Sequence, residues 1–242
     1  MKKIFVILSL SIFVSCENIE NSSNEFDVTE TENLEILKND EIVQDIDGNE
    51  YQTIKINDRI WLASNLKTTK FSNGDPIPNL LKDSDWKKAE GPGYCFFDNS
   101  KSNFKFGCLY NLQAVIDKRN ICPKGWHVPT KEETIWNNKF DEKKVLNHEL
   151  FNNQILGWRR NWDDWDEEDE FSTFQLETEW DDGGNSHYWL SSYYWDDNYD
   201  TEDSNDTIKR GYLMDSKSTG EYYFGNIYDG FSCRCIKDTI TD

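Results

Sequence analysis

Aromatic side chains constrain this sequence more than any other feature: 10 Trp, 11 Tyr and 14 Phe stand among 242 residues of which only 36% are hydrophobic. Each such ring buries on the order of 150–250 Å², so one core is within reach if the rings are gathered on shared faces. The rings and their apolar neighbours fall in short alternating runs between turn signals, the pattern of half-buried strands.

The first runs lie close together. Ile42, Ile46, Tyr51, Thr53 and Lys55 alternate about the turn Asp47-Gly48-Asn49, and a second turn at Asn57-Asp58 leads to Ile60-Trp61-Leu62. Three short antiparallel strands follow from that pattern. Residues 67–92 carry Asn73-Gly74-Asp75-Pro76 and Glu90-Gly91-Pro92-Gly93 and are expected to be mostly loop. Tyr94-Cys95-Phe96-Phe97 is a candidate strand, and Leu109, Leu112, Val115 and Ile116 fall at helical spacing. A clearer helix start is Pro129-Thr130-Lys131-Glu132-Glu133, where Thr130 caps and Glu133 supplies the carboxylate of a capping box. That helix should run to about Leu146. Strand patterns return at Tyr188-Trp189-Leu190-Ser191, Gly211-Tyr212-Leu213-Met214, Tyr222-Tyr223-Phe224 and residues 231–236, which makes the C-terminal half a meander.

The N-terminal segment is of another kind. Met1, Lys2 and Lys3 precede an apolar run at residues 4–14, too short to span a bilayer but suited to a secretory signal. Phe13-Val14-Ser15-Cys16 resembles a bacterial lipobox, with Cys16 as the residue to be acylated and residues 1–15 as signal peptide. Residues 16–40 are rich in Asn, Glu, Ser and Thr and are expected to be a disordered tether. Their acidity resembles the export tags of surface lipoproteins in Bacteroidota-type bacteria. The folded domain is expected at residues 41–238, with a tail at 239–242, on the outer membrane or cell surface and tied to the membrane by its lipid. Lys and Arg total 26 against 46 Asp and Glu, a formal charge of -20 that repels phosphate backbones and excludes nucleic acid as a partner.

Five segments in order resemble the Fibrobacter succinogenes major paralogous domain family. They are Asp45-Ile46-Asp47-Gly48-Asn49-Glu50-Tyr51, residues 60–69 from Ile60-Trp61-Leu62, Cys122-Pro123-Lys124-Gly125-Trp126-His127-Val128-Pro129-Thr130, Tyr188-Trp189-Leu190-Ser191-Ser192 and residues 230–238 around Cys233-Arg234-Cys235. The resemblance implies an α+β fold similar to that of C-type lectins: twisted antiparallel sheets, two flanking helices, a long loop region as binding surface and neighbouring termini. The chain departs from the family pattern at residues 171–184, which replace a Gly-rich stretch.

Of the six Cys, a lipidated Cys16 leaves five. The resemblance brings Cys122 and Cys235 together as a disulfide. Cys108 and Cys233 stand where the family pattern more often has other residues, which suggests a second bridge; the alternative is that they stay buried thiols. Cys95 is left over.

Chemistry-bearing clusters are few. His127, His148 and His187 show no short metal spacing, which argues against zinc. Asp163, Asp164 and Asp166, and the run Trp195-Asp196-Asp197-Asn198, offer oxygen ligands that make calcium a lesser candidate, and no other cofactor is indicated. No carboxylate pair or nucleophile elbow marks a hydrolase, so binding is expected rather than catalysis. Trp162, Asp163, Asp164, Trp165, Trp195, Asp196 and Asp197 are the candidate ligand residues: rings to stack on a sugar, acids to accept from its hydroxyls. The ligand is thus a glycan, or another protein if the chain is an adhesive surface protein. Asp206-Thr207-Ile208 and Asp238-Thr239-Ile240 match a short O-glycosylation acceptor pattern at Thr207 and Thr239.

Overall fold

Strand pairing begins earlier than the alternation indicates. In the computed structural model, which describes residues 35–134, 145, 148–151, 158–160, 173–175, 187–196, 208–215 and 223–239, strand β1 is Ile36–Gln44. Residues 36–40 were expected in the tether, but Ile36 and Leu37 lie opposite Ile56 and Lys55 of β2 (Glu50–Ile56), and the ladder and the apolar packing of Ile36 make them strand. β2 turns into β3 (Arg59–Leu62). The two turns need left-handed backbone, which Gly48 (φ 82) and Asn57 (φ 52) supply.

The sheet is completed by residues far along the chain: its order is β1-β2-β3-β12-β6, with β6 at Trp126–His127 and β12 at Ile236–Lys237, antiparallel throughout. Both faces are covered. On one, Ile54, Trp61 and Ile236 join Phe151, Leu190 and Met214; on the other, Tyr51, Leu62 and Trp126 join Leu112, Trp189 and Phe231. This division follows the period of two along each strand.

The C-terminal meander takes the expected form, with β9 (His187–Asp196), β10 (Ile208–Asp215) and β11 (Tyr223–Asn226) in the order β11-β10-β9. Residues 231–236 do not form the expected continuous strand. Only Ile236 belongs to β12; before it the chain makes single bridges, Gly230 to Arg159, Phe231 to Tyr110 and Ser232 to Tyr188, because its successive partners run in different directions.

Among the described residues helix is scarce and short. Helix α1 (Asp83–Lys87) lies in the stretch expected to be loop, with Asp83 and Asp85 in its first turn, Lys87 in its last and Trp86 buried. The expected helix over 109–116 is divided: β4 (Tyr94–Cys95) pairs with β5 (Leu109–Tyr110), and only Leu112–Val115 is helical (α2), where the Asn111 side chain accepts from the Ala114 amide. At the capping box the Glu133 carboxylate accepts from the Thr130 amide at 3.1 Å; residues 135–144 of the helix expected there lie outside the described residues. A further pair, β7 (Trp158–Arg160) and β8 (Thr173–Gln175), is antiparallel. The fold class is α+β, dominated by antiparallel sheet.

Cys122 and Cys235 form the expected disulfide, Cα atoms 6.0 Å apart across 113 residues. The expected second bridge is absent: Cys108 and Cys233 are free and buried, as is Cys95. Each of the first two is bonded through its backbone to Leu66 rather than to the other, and the Cys108 thiol turns to the Lys67 carbonyl at 3.6 Å.

Trp189, fully buried, is fixed on all sides. Its indole N–H donates to the Tyr110 carbonyl at 2.7 Å, and its ring meets Phe231 edge-on at 4.8 Å. Gly211 and Gly225 are required beside it, since a Cβ at Gly225 would fall 2.6 Å from the indole and 2.8 Å from Phe231. Gly225→Ala should therefore destabilise the domain by about 1–3 kcal/mol through overpacking, read as a lower midpoint in urea with unchanged slope.

Candidate functional site

The five-stranded sheet consumes the polar residues at its turns. Asp45 accepts from the amides of Asp47 and Asn49, from the Asn49 side chain and from the Tyr51 hydroxyl. Burial and then the Asp45 carboxylate push the Tyr51 phenol up, so it stays a neutral donor. Asp47 accepts from the Thr69 amide and hydroxyl and pairs with Lys70 at 2.9 Å. Burial pushes the Asp47 carboxyl up, but these donors outweigh it and hold the group below the ordinary range. The acids of the Asp45-Ile46-Asp47-Gly48-Asn49 turn are thus structural. Among the described residues no three His, Cys, Asp or Glu converge as a metal site.

Two buried cations organise the interior. Arg234 donates to Asn65 Oδ1 and to the Leu62 and Phe151 carbonyls, with its guanidinium 4.1 Å from the Phe151 ring centre; burial pulls it below its ordinary pKa. Arg159 bonds the Leu80 carbonyl and Asp83 and stacks on Trp86.

The meander presents a different surface. Opposite the single residue Tyr212, between the Gly211–Tyr193 and Leu213–Trp189 pairs, β9 carries the three residues Leu190, Ser191 and Ser192. The two serines hold this irregularity. Ser191 donates through its amide to the Pro129 carbonyl and through its hydroxyl to the Val128 carbonyl, and Ser192 Oγ accepts from the Lys131 amide at 2.8 Å. Beyond it Tyr193 stands 45% exposed, among the most exposed large apolar side chains described. Tyr194 lies 5.5 Å from Tyr212, ring centre to ring centre, and Lys131 Nζ lies 4.5 Å above the Tyr212 ring. Half-buried Arg210 is the cross-strand partner of Tyr194. The Tyr194–Tyr212 pair, with Lys131 and Arg210 at its margin, can stack on a planar or apolar ring face while its hydroxyls hydrogen-bond; Tyr193, opposite Gly211, lies on the other face of the meander.

The residues expected to bind ligand are divided by the structure. Trp195 and Asp196 end β9, opposite Lys209 and Ile208, and continue directly from the tyrosine face. Trp162, Asp163, Asp164, Trp165 and Asp197 lie outside the described residues, as do Cys16 and Thr207. Thr239 is exposed just after β12. Tyr193, Tyr194, Tyr212 and Lys131 were not singled out from the sequence; the run of three aromatics at 193–195 was the available signal.

His127 makes two close contacts: Nδ1 to Asp238 Oδ1 at 2.5 Å and Nε2 to Glu133 Oε2 at 2.9 Å. Glu133 also bonds Arg59 at 3.0 Å. Burial opposes ionisation of Glu133, but the Thr130 amide, His127 and Arg59 hold it at about 2. Its support of the fold is complete above its ordinary value of 4.5 and is lost as pH falls toward about 2.

An antiparallel α+β domain whose closing strand lies inside the sheet, with an aromatic face on its meander, is the class these features define. Residues 54–237 match the family model of the Fibrobacter succinogenes major domain, and the chain belongs to that family. No curated protein and no solved structure matches it.

Burial pushes the Cys95 thiol up to about 12 and raises Cys108 and Cys233 as well. Since the thiolate is the reactive form, alkylation at neutral pH should leave all three unmodified in the native protein and label each after denaturation, as peptide mass mapping would record.

Proposed function

We propose that this protein is an exported, lipid-anchored binding module of the cell surface, held by Cys16, whose C-type-lectin-like domain takes a glycan at the tyrosine end of the meander. The observation that carries the reading is the aromatic end of β9, where Tyr193 is exposed on one face and Tyr194 pairs with Tyr212 on the other, on a strand that runs into Trp195 and Asp196. Aromatic faces flanked by polar groups suit the apolar face and hydroxyl rim of a sugar ring. A lectin-like assignment draws support from the antiparallel sheets and from the closing strand joined to the N-terminal strands. Trp162, Asp163, Asp164, Trp165 and Asp197 remain candidate ligand residues in this reading. In this reading the protein binds rather than catalyses; Asp45 and Asp47 of the described sheet turns are engaged in structural hydrogen bonds. Calcium is a subsidiary part of the proposal, and so is O-glycosylation at Thr207 and Thr239.

A glycan array run with calcium and with chelator tests the ligand class, and signal in both conditions is the expected result. Tyr193→Ala with Tyr212→Ala should then weaken binding about tenfold, or roughly 1.4 kcal/mol for the lost stacking area, with the melting curve retained. A folded double variant that binds like wild type would remove these tyrosines from the site, and an empty array would favour a protein ligand. For the anchor, a fatty-acid analogue fed to expressing cells should label wild type and leave Cys16→Ala unlabelled; equal labelling would refute it.

A further inference from the structure

We propose that the inner end of the Arg59–Glu133 ion pair is a site for one internal water, which accepts from Arg59 Nε and from the indole N–H of Trp61 and donates to Glu133 Oε1. The site is defined by two buried donors. Trp61 is only 1% exposed, and among the described residues neither its Nε1 nor the buried Nε of Arg59 meets an acceptor. Residues 59 and 61 stand two apart on β3 and so share a face of the sheet, the one on which Trp61 enters its core, while Leu62 enters the opposite core. A buried donor left unmet lowers the folding equilibrium constant by roughly fivefold to a hundredfold. Two such donors on one strand face are met most economically by a single acceptor that reaches both.

The ion pair itself explains why Glu133 does not serve Arg59 Nε. Two donors along one edge of a guanidinium are commonly met together by the two oxygens of one carboxylate. Here Glu133 Oε1 takes Arg59 Nη2 at 3.0 Å, but Oε2 is turned to the Thr130 amide at 3.1 Å and to His127 Nε2 at 2.9 Å. Service of Nε therefore falls to another group. Trp61 has no better choice among its neighbours, since its cross-strand partners are Ile54 and Ile236 and its core adds the side chains of Phe151 and Leu190.

The surrounding charge selects a neutral acceptor. Glu133 already answers the charge of Arg59, and Asp238 brings a second carboxylate to the other side of His127 at 2.5 Å. A halide or a carboxylate entering beside Arg59 would meet that excess of acid. Water meets every demand of the site: two lone pairs for the two donors, and a proton for Glu133 Oε1, a carboxylate oxygen that takes one protein donor and can accept a second. About three hydrogen bonds are usual for a buried water. The water would fasten the Trp61 indole to Glu133, and so β3 to the segment whose Val128 and Pro129 carbonyls and Lys131 amide engage Ser191 and Ser192. Nothing in this depends on the identity of the ligand at the meander.

The test begins with the full-length wild type. A high-resolution crystal structure should show an ordered oxygen within about 3.2 Å of both Arg59 Nε and Trp61 Nε1, and NMR of protein labelled with nitrogen-15 in its tryptophans should give a cross-peak between the Trp61 indole proton and water. Arg59→Lys retains a cation opposite Glu133 and removes the Nε donor, so the folded variant should lose that cross-peak. Should the variant not fold, the two wild-type measurements decide alone. A map with no atom in reach of both nitrogens, an atom that bromide replaces when crystals are soaked in it, an indole proton without a water cross-peak, or a cross-peak undiminished in folded Arg59→Lys would each overturn the proposal.

Discussion

The structure depends on one continuous segment, residues 230–238, whose backbone is bonded to β3, β5, β6, β7 and β9 and to Leu66 and Gly125. Gly230 exchanges bonds with Arg159 and Phe231 with Tyr110, the Ser232 carbonyl accepts from Trp189, those of Cys233 and Cys235 from Leu66 and Leu62, and the Asp238 amide reaches Gly125. Its side chains divide in the same way. Phe231, Cys233 and Cys235 enter the core under Trp189, Ile236 enters the opposite one, and Arg234 joins Asn65 to Phe151. A buried guanidinium is tolerable only when its donors are met, and carbonyl oxygens and aromatic faces meet them here.

From this segment the surface features follow in sequence. The disulfide ties it to Cys122, only a few residues before Trp126 and His127. The chain continuing from His127 supplies the Val128 and Pro129 carbonyls and the Lys131 amide that engage Ser191 and Ser192. Those serines hold the irregularity in β9 beyond which Tyr193 faces outward. Tyr193 is therefore positioned by neighbours across the sheet rather than by its own strand alone.

How much of this was legible depended on the range of the interactions involved. The first three strands could be read because alternation and turn residues such as Gly48 and Asn57 are local signals. The C-terminal meander was likewise visible in its alternation. Helix α1 escaped because five residues with one buried ring carry no periodicity. The division of 109–116 was hidden because Leu109 and Tyr110 are drawn into a strand by Tyr94 and Cys95, which lie outside any helical window. The state of Cys108 and Cys233 rested on where Leu66 sits, a tertiary fact. Trp195 and Asp196 were singled out from an aromatic and acidic run, whereas Tyr193 was not, since the irregularity in β9 that precedes it is held by a bond between Ser192 and a residue 61 positions earlier.

A chain is made from its N-terminus, and here the segment that fills the centre of the domain is the last part of the domain to be made. Until residue 238 has emerged, Trp61, Leu66, Tyr110 and Trp189 lack the backbone or side-chain partners that bury them. The ladder of β1, β2 and β3 can form early, but it then waits with both faces incompletely covered. Contacts of such long sequence separation slow folding and lengthen the time during which strand edges are open to other chains. Folding of this domain therefore waits for its last segment, and the state that lacks it is the one with most open strand edges.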